Sequence, residues 1–84
     1  MSKWEKLLDK LLNLSPGMRF AELEKILVSY GYVKHAPRSG SSHCTFRKPN
    51  CNPITIPMHE PIKRVYIKLV REAVEGENGN EYIR

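Results

Sequence analysis

The run Arg38-Ser39-Gly40-Ser41-Ser42-His43-Cys44-Thr45-Phe46-Arg47-Lys48-Pro49 gathers an imidazole, several cations and a turn of small hydroxyl-bearing residues. A histidine takes up or gives up a proton near neutral pH. Arginine and lysine grip phosphate, and the backbone N–H groups of a Gly/Ser turn form a concavity that suits an anion. The chemistry on offer is proton transfer beside a bound phosphate, with His43 as the titrating group. A single histidine at the start of a strand is by itself more often an ordinary surface residue.

The charge around that run is lopsided. Between residues 34 and 71 the chain carries Lys34, Arg38, Arg47, Lys48, Lys63, Arg64, Lys68 and Arg71 against Glu60 alone, while residues 72–84 hold Glu72, Glu75, Glu77 and Glu81 against Arg84. All three histidines, His35, His43 and His59, lie in the basic stretch. The whole chain has a net charge of +5, and a field of this sign concentrates polyanions, nucleic acid first among them. Cys44 and Cys51 are the only cysteines, and no Cys-x-x-Cys pair accompanies them. Neighbours on a strand point to opposite faces, so His43, Cys44, Cys51 and His59 make a poor zinc set, and no metal or cofactor is expected. With one acid in the basic stretch, no carboxylate cluster suited to magnesium is present either. The N-terminal apolar residues are interrupted by Lys6, Asp9 and Lys10 and do not read as a signal peptide, and no apolar run approaches a membrane span; a reducing cytoplasm is the expected setting.

At 84 residues the chain reads as one small domain, with any chemistry on an open surface. Trp4, Leu7, Leu8, Leu11 and Leu12 recur at helical spacing and predict a helix over residues 3–13, broken by Ser15-Pro16-Gly17. A second helix begins near Phe20 with Leu23, Ile26, Leu27 and Tyr30 on one side, and Gly31 is placed to close it. Residues 32–36, 43–47 and 54–56 read as strands, the first two joined by the turn at 37–42. Alternation along the second sends Cys44 and Phe46 to one face and His43, Thr45 and Arg47 to the other. From Ile62 the stripe Val65, Tyr66, Leu69, Val70 and Ala73 predicts a third helix, which Glu75-Gly76-Glu77-Asn78-Gly79-Asn80 is expected to end, leaving 76–84 as a mobile tail. The order α-α-β-β-β-α defines an α+β domain: a three-stranded antiparallel sheet with helices packed on one face and the other face open.

Three segments in this order resemble the HicA (YcfA-like) toxins of toxin–antitoxin modules: Leu23-Glu24-Lys25-Ile26-Leu27 leading to Gly31-Tyr32, Gly40-Ser41-Ser42-His43 followed by Phe46-Arg47-Lys48-Pro49, and Ile54-Thr55-Ile56-Pro57-Met58-His59 followed by a basic amphipathic helix. The resemblance spans residues 20–74, so the helix at 3–13 precedes it. An extra serine separates glycine from histidine here, and Cys44 stands where relatives often have a second histidine. The resemblance implies a fold like that of double-stranded-RNA-binding domains, an endoribonuclease that cuts mRNA and halts translation, His43 as the catalytic group, and control by a HicB-type antitoxin. It makes His59 a possible accessory group, whereas His35 reads as a surface residue. Gly40, Ser41, Ser42, Arg47 and Lys48 are the candidate phosphate contacts. The residues alone leave two other classes open: a non-catalytic RNA-binding module, and a basic domain that meets an acidic protein.

Overall fold

The computed structural model describes residues 2–36 and 42–83, with side chains to Gly76. Helix α1 spans Lys3–Leu12, α2 Phe20–Ser29 and α3 Arg64–Ile83; strands β1 (Val33–His35), β2 (His43–Arg47) and β3 (Ile54–Pro57) lie between α2 and α3. They form one antiparallel sheet in the order β1-β2-β3, with β2 in the centre. The α+β architecture and element order follow the sequence pattern.

Local chemistry sets each helix start. The Ser2 hydroxyl accepts from the Glu5 N–H at 3.1 Å and the Glu5 carboxylate accepts from the Ser2 N–H at 2.9 Å, a reciprocal box that satisfies two otherwise orphaned donors of α1. Arg19, preceding α2, has no side-chain acceptor to offer. Instead Glu22 accepts from the Arg19 N–H at 2.9 Å, and Glu60, forty residues away, accepts from the Phe20 N–H at 3.0 Å. The one acid of the basic stretch therefore serves as a helix cap. Gly31, with φ +96°, takes the left-handed conformation that ends α2, and the Tyr32 N–H donates back to the Leu27 carbonyl.

The core joins Leu7 and Leu11 of α1, Leu23, Ile26 and Leu27 of α2, Ile67, Val70 and Val74 of α3, and Cys44, Phe46, Ile54 and Ile56 from one face of the sheet. Met18, Tyr32 and Ile62 complete it. All three helices thus contribute to the core on one side of the sheet, α2 and α3 against the strands and α1 against α3. Leu12, from the α1 stripe, is exposed.

Helix α3 departs from the sequence reading in two ways. It passes through Glu75–Asn80 and ends at Ile83. Glycine in a helix costs about 1 kcal/mol relative to alanine, and with no proline to remove a backbone donor, Gly76 and Gly79 weaken the helix without ending it. Its buried stripe is also rotated: Ile67 and Val74 face the core, and Val65 and Leu69 are exposed. Both sets fit a 3.6-residue period, and packing against the sheet selects between them.

Candidate functional site on the open face of the sheet

The register defines the open face residue by residue. Val33 lies opposite Arg47, His35 opposite Thr45, Thr45 opposite Thr55, and His43 opposite Pro57. These seven residues share the face that the helices leave uncovered. His35, His43, Arg47 and Thr55 are exposed, and the Thr45 and Thr55 hydroxyls meet at 3.1 Å in the middle. No carboxylate stands among them.

Both edges of the site are anchored. The Met58 N–H donates to the Ser42 carbonyl at 2.7 Å, extending the β2–β3 ladder one step beyond His43, while Cys44 is buried behind it with its thiol 3.7 Å from the Met58 sulfur. Ser42 and His43 are thereby fixed at the end of the central strand. At the other end a turn follows Arg47, closed by the Cys51 N–H on the Lys48 carbonyl at 3.1 Å, with Asn50 at φ +65°. The Lys48 ammonium lies over the Tyr32 ring at 5.6 Å, its stem against Gly31.

The described candidates divide between the two ends of the sheet. Gly40 and Ser41 lie outside the described residues; Ser42 adjoins His43 on the ladder. His59 follows Met58 just past the end of β3, at the same end of the sheet as His43. Arg47 and Lys48 stand at the opposite end. Strands rise about 3.3 Å per residue, so Arg47 is roughly 13 Å along β2 from His43, too far for both to address one phosphate. Arg47 and Lys48 therefore stand apart from His43, at the other end of the strand.

Part of the basic stretch is committed elsewhere. Lys34 bonds Glu24 at 3.2 Å and lies 5.6 Å over the Phe20 ring, on the helix side of the sheet. Arg71 reaches the Leu12 carbonyl at 3.3 Å and Glu75 at 3.8 Å, tying α3 to the end of α1. Lys63, Arg64 and Lys68 are exposed on α3 or just before it. The charge excess of the sequence is therefore spread around the molecule, and the open face holds a local share of it. Among the described residues no three His, Cys, Asp or Glu side chains converge as metal ligands would. Cys44 is buried on the face opposite His43, Cys51 is exposed in the β2–β3 turn, and the two thiols are free. Among the described residues no helix is long and apolar enough to cross a membrane.

Sequence reasoning passed over His35. Its exposure on β1 gives no hint of its neighbours, and only the strand register puts it across from Thr45 on the face that carries His43. A shallow depression of about 410 Å³ includes His35, Arg47 and Lys48 in its lining.

The molecule is a small α+β domain that buries one side of a three-stranded sheet and presents His35, His43 and Arg47 on the other. The family model described as the HicA toxin of bacterial toxin–antitoxin systems matches residues 20–74, about two-thirds of the chain. The chain belongs to the HicA toxin family, and an antitoxin partner is implied with it. No curated protein and no solved structure matches the chain. Helix α1 precedes the matched segment.

Proposed function

We propose that this toxin is a metal-independent endoribonuclease that cuts mRNA in the cytoplasm and halts translation, with His43 as general base. The observation that carries the reading is the position of His43: exposed at the start of the central strand, on the face the helices leave bare. RNA brings its own nucleophile, the 2′-hydroxyl, so the protein has only to remove that proton, stabilise the charged phosphorane and hold the alignment. A neutral imidazole accepts the proton as the 2′-oxygen attacks phosphorus. Histidine is the side chain suited to exchanging a proton near neutral pH. One positioned base contributes on the order of 10²- to 10⁴-fold, a modest catalyst that suffices for growth arrest.

Ser42, with Gly40 and Ser41 before it, offers N–H and hydroxyl donors beside His43 for the scissile phosphate. Arg47 and Lys48, some 13 Å along the strand, hold a neighbouring phosphate and set the register of the RNA on the sheet. His59 is an accessory group at the His43 end. Metal independence is supported by where the acids are: Glu60 caps α2, Glu24 pairs with Lys34, and Glu22 bonds Lys10 at 2.8 Å. The antitoxin is of HicB type and covers the same face, which the helices leave open to a partner.

Expression of the chain alone is expected to stop bacterial growth and deplete mRNA, and His43→Ala, at an exposed position, is expected to accumulate without harm. Equal toxicity of the alanine variant would refute the assignment.

A further inference from the structure

We propose that His35 is the general acid of the cleavage reaction, delivering a proton to the 5′-oxygen that leaves as His43 takes one from the 2′-hydroxyl. The proposal rests on the endoribonuclease reading above and adds a second reacting group to it. His35 is the last residue of β1 and His43 the first of β2, so the two stand at the same end of the paired strands. His35 lies opposite Thr45, two residues along β2 from His43. Diagonal neighbours on one sheet face are about 7 to 8 Å apart. A base and an acid each need hydrogen-bond reach, about 2.6 to 3.2 Å, to oxygens on opposite sides of one phosphorus, and two imidazoles at this spacing can flank a phosphate.

His35 also lies between His43 and the cations. Along β2 the open-face positions run His43, Thr45 with His35 beside it, then Arg47, and the depression beside Arg47 and Lys48 is lined by His35 too. An RNA strand laid from His43 toward Arg47 passes His35. Among the described residues, the groups that face it are His43 and Arg47 on β2 with Lys48 beyond, and Thr55 on β3, while Lys34 of β1 lies on the helix side and pairs with Glu24.

The step balances without a further reactant. The 2′-oxygen forms its bond to phosphorus and passes its proton to neutral His43. The bond from phosphorus to the 5′-oxygen breaks, and protonated His35 gives that oxygen its proton. The products are a 2′,3′-cyclic phosphate and a 5′-hydroxyl, with both imidazoles restored by exchange with water.

The test uses the full chain and an oligoribonucleotide in which the cleaved bond has been mapped, made also with a bridging sulfur in place of the 5′-oxygen at that bond. A thiolate leaves without a proton, so an acid becomes dispensable while the base does not. Removing the acid from the normal substrate, with His35→Ala, is expected to slow cleavage about 10²- to 10⁴-fold, to abolish the alkaline limb of the pH–rate profile, and to leave the sulfur-linked substrate cut at close to the wild-type rate. His43→Ala is expected to be slow on both. His35→Gln, which keeps the side chain's bulk, is expected to behave as alanine does, and a thermal melt matching wild type shows that either variant is folded. His35→Ala cutting normal RNA at the wild-type rate, or slowed equally on both substrates, would overturn the acid assignment while leaving His43 standing. His43→Ala cutting both substrates normally would bring down the His43 assignment, and a wild-type chain inert toward RNA would bring down the endoribonuclease reading itself.

Discussion

The two faces of β2 divide the work of the molecule between them. On one, Cys44 and Phe46 are wholly buried against the three helices together with Ile54 and Ile56 of β3. On the other, His43 and Arg47 stand in water beside His35 and Thr55. Five consecutive residues thus alternate between the core and the proposed site, and a change on one face should leave the property of the other untouched. Helix positions do not divide so cleanly in this chain: Arg71 is at once near the core and a link between helices, and Glu60 caps α2 from a loop beside the basic surface.

The sharpest way to break this comparison is on the covered face. Phe46→Ala empties the centre of the core and removes the ring that meets Phe20 at 6.1 Å. A loss of about 3 to 5 kcal/mol is expected in urea unfolding, enough to unfold much of a domain this small. A loss under 1 kcal/mol would mean that the sheet is not held by its helix-side packing.

On the open face, reversing Arg47 and Lys48 together to Glu should keep the fold and weaken the binding of both RNA and antitoxin. Each phosphate that the protein no longer neutralises lowers the slope of log affinity against log salt by about 0.7 for single-stranded RNA, so the RNA titration should flatten visibly. Lys48 also stands over Tyr32, an interaction worth about 0.5 to 1 kcal/mol, and the melt should fall modestly with its loss. Unchanged antitoxin binding would place the inhibitor on another surface.

A smaller effect lies away from both faces. Burial pushes the Glu22 carboxyl up, but the hydrogen bond from Lys10, the Arg19 N–H and the charge of both outweigh it and hold Glu22 below its ordinary value of 4.5. A carboxylate depressed in the folded state stabilises fully above its unfolded pKa, and that stability is lost as pH falls through the folded pKa. Stability should therefore fall as pH drops below 4.5, and Glu22→Gln should flatten that decline by less than about 1 kcal/mol, the scale of an exposed pair. An unaltered acid limb would show that the α1–α2 pair contributes nothing.

The alternation of β2 could be read from the sequence because a strand repeats every two residues whatever it pairs with, and Phe46 marks the inner side. The start of α1 was legible for a similar reason, being set within a few residues. Register was not legible: nothing near His35 says that Thr45 lies opposite, or that Arg47 falls at the far end of the site from His43. The rotation of α3 depended on what it packs against, so Val65 and Leu69 looked as suitable for the core as Ile67 and Val74. Glu60 counted as the lone acid of a basic stretch, and its role at the Phe20 N–H spans forty residues of chain. Sequence distance hid each of these, whereas the composition of each segment was plain.

The central claim is that His43 carries catalysis without metal. The direct measurement is cleavage of a defined RNA by the purified chain in excess EDTA, wild type against His43→Ala, with the thermal midpoint of each recorded on the same sample. The account predicts undiminished wild-type cleavage in chelator, a fall of about 10²-fold or more for the variant, and coincident melts. Cleavage abolished by EDTA and restored by a divalent ion, or cleavage by His43→Ala at the wild-type rate, would contradict it.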